Sequence, residues 1–117
     1  MISSINSNLS ALVAFGKKMG VTSNNIANVN TDGFKKSRAV LSEGDSGEVR
    51  ADIEQLDTPG PMRTVVQDGV ATEKEMSNVD LTQEIPEMIP TKRAYEANLK
   101  AIKTLDDMLG VLVDLKT

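Results

Sequence analysis

The chain has 117 residues, with 13 Lys and Arg against 17 Asp and Glu, for a formal charge of −4. It holds no Cys, no His and no Trp, one Tyr and two Phe. That excludes disulfide staples, thiolate metal sites, the usual imidazole base or metal ligand and a dense aromatic core. The apolar residues are mostly Leu, Ile, Val, Ala and Met, which suit helix–helix seams in one domain with a modest core.

The charge is unevenly placed. Residues 1–36 carry four Lys and one Asp (+3), residues 37–76 four bases and nine acids (−5), and residues 77–117 five bases and seven acids (−2). An acidic middle argues against nucleic-acid binding, which calls for a basic stripe. Met1 to Gly16 carry no charged side chain. That stretch lacks the basic leader and long apolar run of a secretory signal. Its Ser and Asn residues make it too polar to span a bilayer.

Ile2, Ile5, Leu9, Leu12, Gly16, Met19, Ser23 and Ile26 recur at spacings of three and four, which predicts a first helix with one apolar face. Ser3 or Ser4 is the candidate N-cap, and Gly20 a candidate break. Asn24, Asn25, Asn28 and Asn30 crowd the far end. Asn competes for backbone hydrogen bonds, so the helix is expected to end at about Asn28 to Asn30. Asp32-Gly33 signals a turn.

The middle, residues 37–76, reads as short strands. Glu43 to Gly47 is expected as a flexible loop. Arg50 to Glu54 alternates polar and apolar, flanked by Val49 and Leu56, as a strand does. Thr58-Pro59-Gly60-Pro61 is a turn or linker. Asp68-Gly69 between Val66 and Val70 signals a hairpin. A hairpin or small twisted sheet leaning on the helices is the expected scale.

The last segment, residues 77–117, returns to helix. Ile85, Met88, Lys92, Tyr95, Leu99, Ile102, Leu105, Leu109 and Leu112 form the stripe. Asp80 is the candidate N-cap, with Glu84 near the positive end of the helix dipole. Glu96 and Lys100 stand at the favourable i,i+4 spacing. Pro86 and Pro90 each remove a backbone donor, so a kinked entry is expected, with straight helix from about Thr91. The two helical ends and the middle are together expected to make one domain.

No phosphate-binding Gly loop, catalytic triad or metal-ligand spacing occurs in the sequence. No catalytic, cofactor-binding or metal residue is expected, and no cofactor or small-molecule substrate. Asp106-Asp107 and Lys17-Lys18 read as solvated helix faces, and Tyr95 as a core or interface side chain. Each stripe could cover the other in a monomeric helical hairpin. However, two helices with few aromatics bury little apolar area, which favours self-association.

Ser23-Asn24-Asn25-Ile26-Ala27-Asn28-Val29-Asn30-Thr31-Asp32-Gly33-Phe34-Lys35 resembles the N-terminal signature of bacterial flagellar rod and hook proteins. Ser77-Asn78-Val79-Asp80-Leu81, followed by Arg93-Ala94-Tyr95-Glu96-Ala97-Asn98, resembles their C-terminal signature. The resemblance covers about residues 1–36 and 77–117. It implies a mainly α fold, in which long N- and C-terminal helices pair as an antiparallel coiled coil around a small β-hairpin-containing middle. It also implies a structural subunit of the basal-body rod, not an enzyme. Such a subunit would assemble with itself and other rod proteins in the periplasmic rod, after passing the flagellar type III export apparatus without a cleaved signal peptide.

The short middle looks most like that of a proximal-rod subunit, of the C type, or of a small rod-like relative. Two departures stand out: Asp32 where the family usually has Pro, and Pro86 and Pro90 in the second helix. Carried over, Ile2, Ile5, Leu9, Leu12, Met19, Ile26, Tyr95, Leu99, Ile102, Leu109 and Leu112 would form the assembly interface. Asn24, Asn25, Asn28, Asn30, Gly33 and Phe34 would shape the first motif. Asn78, Asp80, Arg93, Tyr95 and Asn98 would sit at subunit contacts or order the helix pair. Leu12→Asp or Ile102→Asp is expected to abolish assembly. The alternative function is a soluble adaptor or assembly factor that binds rod or export components through rod-like helices. A peptidoglycan-cutting enzyme is a third reading, but the chain supplies no acidic catalytic domain for it.

Overall fold

The computed structural model describes residues 2–116, so Met1 and Thr117, the outermost residues of the two expected helical ends, lie outside the described residues. The chain runs α1 (Ile2–Ala27), β1 (Ser37–Glu43), β2 (Val49–Gln55), β3 (Met62–Gln67), β4 (Val70–Glu75) and α2 (Leu81–Lys116). The strands form two separate antiparallel hairpins, β1–β2 and β3–β4. The register pairs Ser37 with Gln55 and Glu43 with Val49 in the first, and Met62 with Glu75 and Gln67 with Val70 in the second.

α1 is already helical at Ile2 and unbroken at Gly20. Ser3 and Ser4 therefore lie within the helix and do not cap it, and the Ser4 carbonyl accepts from the Asn8 side chain at 2.9 Å. A single Gly inside 26 residues of packed helix costs only about 1 kcal/mol, which tertiary contacts outweigh. The helix stops at Ala27, and Gly33 takes a φ of 71° in the turn that follows.

α2 begins at Leu81, ten residues before Thr91, and its helical assignment runs through both prolines. Asp80 caps it: its Oδ1 accepts from the Thr82 backbone N–H at 3.0 Å and from the Thr82 hydroxyl at 2.6 Å. Pro86 and Pro90 deprive the carbonyls of Thr82 and Pro86 of their helical partners. Thr82, Pro86 and Pro90 are all exposed, so solvent can satisfy those carbonyls. Glu96 lies 4.0 Å from Lys92, so its ion pair is with the preceding turn, not with Lys100 as expected.

The expected loop at 43–47 is the turn between β1 and β2, with Gly47 at a φ of 74°. Asp68 and Gly69 join β3 to β4 with φ of 52° and 80°, the positive pair that a tight type I′ hairpin turn requires. β1 was not expected. Its Ala39-Val40-Leu41 run hides the period of two that the burial of alternate residues reveals.

α1 and α2 pack antiparallel. Asn25 meets Glu84, Gly16 faces Tyr95, and Ile5 shares a groove with Leu99 and Ile102. The first hairpin lies along another side of α1, where the Ser10 hydroxyl accepts from the Val49 N–H at 3.0 Å. Between the three elements sit Ala11, Ala14, Thr22 and Asn25. These small or polar side chains let a helix and a hairpin approach α1 together. Among the described residues, Ala11 and Ala14 are the only fully buried apolar side chains.

The molecule measures 82 × 24 × 20 Å, with a radius of gyration of 21.0 Å; a compact chain of this length would have about 13 Å. α2 alone accounts for about 54 Å and the second hairpin for about 20 Å. Laid end to end these make about 74 Å, so an extent of 82 Å requires that the hairpin project past the helix ends. α2 has 36 residues and α1 has 26. Continuing the antiparallel register brings Ile2 opposite Asp107 to Leu109, so the rest of α2 extends beyond its partner.

Candidate assembly surface

The asparagines of the first motif divide into two uses. Asn28 stays local: its side chain donates to the Asn24 carbonyl at 2.9 Å, and its Oδ1 accepts from the Thr31 hydroxyl at 3.1 Å. Both bonds finish the helix end. Asn24 and Asn30 are exposed. Asn25 acts at a distance. It is 1% exposed, donates to the Ser37 carbonyl at 2.7 Å and accepts from the Ser37 N–H at 3.0 Å. Its Nδ2 also lies 3.3 Å from the buried Glu84 carboxylate on α2.

Asn78 holds the same segment from the other side. Its Oδ1 accepts from the Lys36 N–H at 2.6 Å, and its Nδ2 donates to the carbonyls of Leu56 and Thr58 at 2.8 and 3.0 Å. Its own N–H donates to the Phe34 carbonyl at 3.2 Å. One asparagine from each terminal motif thus grips residues 36 and 37, tying α1, β1 and the entry of α2 together. A cavity of 280 Å³ opens beside this junction, lined by Lys18, Lys36, Arg38 and Glu84 among others. Among the described residues no cluster of His, Cys, Asp or Glu has the arrangement of a metal site.

Two carboxylates at the base of the second hairpin and the start of α2 are held below their ordinary range. For Glu75 the first cause is the hydrogen bond from Lys35, followed by the Gly60 backbone N–H at 2.8 Å. For Asp80 it is the Thr82 hydroxyl, followed by the Thr82 backbone N–H.

The candidate interface residues fall into two groups. Ile5, Leu12, Met19, Ile26, Tyr95, Ile102 and Leu109 are half-buried, whereas Ile2, Leu9, Leu99 and Leu112 are exposed. On α1, Asn8 and Thr22 take covered positions where the spacing had suggested Leu9 and Ser23, while Gly16 stays on the seam against Tyr95. On α2, the covered face runs Glu84, Met88, Thr91, Tyr95, Asn98, Ile102, Leu105 and Leu109 at strict three-four spacing. Ile85, Lys92 and Leu99 are exposed. Of the second motif, Arg93 is exposed, and Asn98 donates to the Ala94 carbonyl of its own helix at 2.8 Å.

Two uncovered tracks remain. On α1, Ile2, Asn6, Leu9 and Val13 form an exposed line without a charge that ends at the exposed Lys17, and Ile2 is 74% exposed. On α2, Met108, Val111, Leu112 and Leu115 stand at i, i+3, i+4 and i+7, with Leu115 78% exposed. Exposed apolar side chains are thus concentrated on these two tracks, on a chain with a thin core. No helix among the described residues is long and apolar enough to cross a membrane.

Residues 5–35 match the family described as flagella basal body rod protein, and residues 74–115 match the flagellar basal body rod FlgEFG protein C-terminal region. The chain is similar to the flagellar basal-body rod protein FlgG of Borreliella burgdorferi, 55% identical over 42 residues, or 36% of this chain and 16% of that protein. The FlgG of Bacillus subtilis matches to the same extent, 55% over 42 residues, again 36% and 16%. The flagellar hook protein FlgE of Brucella suis biovar 1 is 34% identical over 92 residues, 79% of this chain and 22% of that protein. The chain spans less than a quarter of the length of these relatives.

Proposed function

We propose a structural role for this chain from one premise: it belongs to the flagellar basal-body rod and hook protein family. It serves as a subunit of the bacterial flagellar rod, in the periplasmic part of the basal body, and assembles with itself and other rod proteins. The flagellar type III apparatus exports it without a cleaved signal. Its small middle suits a proximal-rod-like position, and its terminal helices form a coiled coil within the assembled rod.

One observation carries this reading. The two segments that match rod proteins fold as one packed pair, yet their apolar tracks on α1 and α2 face solvent. A chain whose fully buried positions are mostly Thr, Asn, Ser and Glu orders itself by hydrogen bonds and keeps its hydrophobic surface for neighbours. The residues of those tracks, together with the half-buried positions Ile5, Leu12, Met19 and Ile102, are the interface this reading assigns.

The test is a sedimentation series across concentration, with circular dichroism on the same samples. Mass and helix content rising together are expected. A fully helical monomer at every concentration would overturn self-assembly and leave the adaptor that binds rod or export components.

A further inference from the structure

We propose that Asp32 is a latch: its carboxylate fixes the direction in which the β3–β4 hairpin leaves the helix pair, and the hairpin swings about its base when that charge is removed or screened.

The hairpin is an arm attached at one end. β3 and β4 pack against neither helix and neither strand of the first hairpin. From the Met62–Glu75 rung to the Asp68-Gly69 turn the arm is about 20 Å long. The chain enters it from Pro61 and leaves it at Met76, whose N–H donates to the Pro61 carbonyl at 2.8 Å. Two adjacent crossings define an axis, not a direction. On the first rung the Glu75 carbonyl accepts from the Gly33 N–H at 2.9 Å, and the Glu75 carboxylate takes Lys35 and the Gly60 N–H. These bonds hold the foot of the arm to the turn after α1. They lie beside the axis, so they resist rotation about it with little leverage.

Asp32 reaches farther. Its Oδ2 lies 2.7 Å from Arg63 and 3.5 Å from Lys74, which face each other on the second rung. Among the described residues this is the one set of polar links from the rest of the chain that passes the first rung. Arg63 and Lys74 are like charges directly opposed across two strands, an arrangement that repels unless a counter-charge joins them. Asp32 supplies it from a turn that is itself braced. The Thr31 N–H donates to the Asn28 carbonyl at 3.1 Å, and the Thr31 hydroxyl bonds the Asn28 side chain at 3.1 Å. The end of α1 is thus carried to the second rung of the arm.

The latch is built to yield. Arg63 and Lys74 are 50% and 59% exposed, and Asp32 24%. Pairs this open are screened by salt, and each shifts an equilibrium by at most about fivefold. A swing of about 20° moves the tip by about 7 Å. The helix pair, whose junction Asn25 and Asn78 hold, keeps its register meanwhile.

The chain contains no Cys, so spin labels on introduced thiols report chosen positions. Full-length Gln67→Cys chains that also carry Arg93→Cys or Asp52→Cys would be labelled and diluted into excess unlabelled chain, so that only distances within one chain are read. At low salt each pair is expected to give one narrow distance. Asp32→Asn should broaden both by several Å. Salt at about 1 M should broaden the parent but add little to Asp32→Asn. The double variant Arg63→Gln, Lys74→Gln leaves the turn untouched and should broaden both equally, with helix content by circular dichroism unchanged. Asp57→Asn, at an exposed acid on the adjoining segment, should change nothing. If either latch variant stays as narrow as the parent, if Asp57→Asn broadens as much, or if the parent is already broad at low salt, the latch is wrong. It belongs to the single chain, so neither result bears on whether copies assemble.

Discussion

The side-chain amide of Asn25 pairs with both backbone groups of Ser37, donating to its carbonyl at 2.7 Å and accepting from its N–H at 3.0 Å. A helix residue thereby stands in for a neighbouring strand at the very start of β1. The pairing fixes the direction in which the first hairpin leaves, and with it the side of α1 left open. Asn78 accepts from the N–H of the preceding residue, Lys36, and donates to the carbonyls of Leu56 and Thr58. The terminal motifs therefore act first on the chain's own geometry, by holding the two helices and the hairpin in one register.

Replacing Asn25 tests this. Asn25→Ala leaves the half-buried N–H and carbonyl of Ser37 without their partner, so a loss of about 1–3 kcal/mol is expected in urea unfolding. Asn25→Asp keeps the acceptor but loses the donor, and sets a second carboxylate beside Glu84. It should be at least as damaging at neutral pH. Equal stability of both variants and the wild type would show that the clamp contributes nothing.

Acid should loosen the base of the second hairpin and the start of α2. Both Glu75 and Asp80 have depressed folded-state pKa values. Their contribution is therefore present above the ordinary carboxylate range and lost as pH falls through the lower folded values. Thermal unfolding followed from pH 7 downward should show a decline below the ordinary values of 4.5 for Glu75 and 3.8 for Asp80. The double variant Glu75→Gln, Asp80→Asn should start less stable and decline less steeply. An unchanged slope would rule these two groups out.

Gly60 marks a close approach. Its N–H donates to Glu75, and a Cβ there would collide with the backbone carbonyl of Met76. Gly60→Ala must push the second hairpin off its base, with an expected cost of about 1–3 kcal/mol, the usual scale of overpacking. Gly20→Ala, with nothing within 4 Å of the added carbon, should instead stabilise by about 1 kcal/mol through helix propensity. Amide hydrogen exchange at Val65 and Thr72 should rise in the first variant and stay unchanged in the second.

Local chemistry was the legible part of this sequence. The two helices, the Asp80 cap and the Asp68-Gly69 turn follow from spacing and residue type within a few positions. The turn motif was legible as a place where asparagines bond, but not that Asn25 reaches Ser37 and Glu84, because one-dimensional spacing carries no partner. β1 was hidden by three consecutive apolar residues. The faces of α1 were blurred for a physical reason. A helix flanked by both α2 and a hairpin needs two covered sides, and the residue between them, Ala14, must be small. Ile5, Leu12, Met19 and Ile26 fit either pattern, so spacing alone could not place Leu9 outside and Phe15 inside. α2 was offset likewise, since Thr91 and Asn98 sit on its covered face while Leu99 is exposed.

That division makes assembly separable from folding. Leu12 and Ile102 are half-buried within the helix pair, so Leu12→Asp or Ile102→Asp should weaken the monomer as well as the assembly. Leu9 and Val13 lie on the exposed, uncharged track of α1. Leu9→Asp and Val13→Asp each place a charge where water already reaches, and surface changes of this kind typically alter stability by only about 0.5 kcal/mol. Their circular dichroism and unfolding midpoints should match the wild type, while the concentration-dependent rise in sedimenting mass disappears. If both variants assemble as the wild type does, the α1 track is an ordinary exposed surface. The contacts between copies would then have to come from the exposed tail of α2.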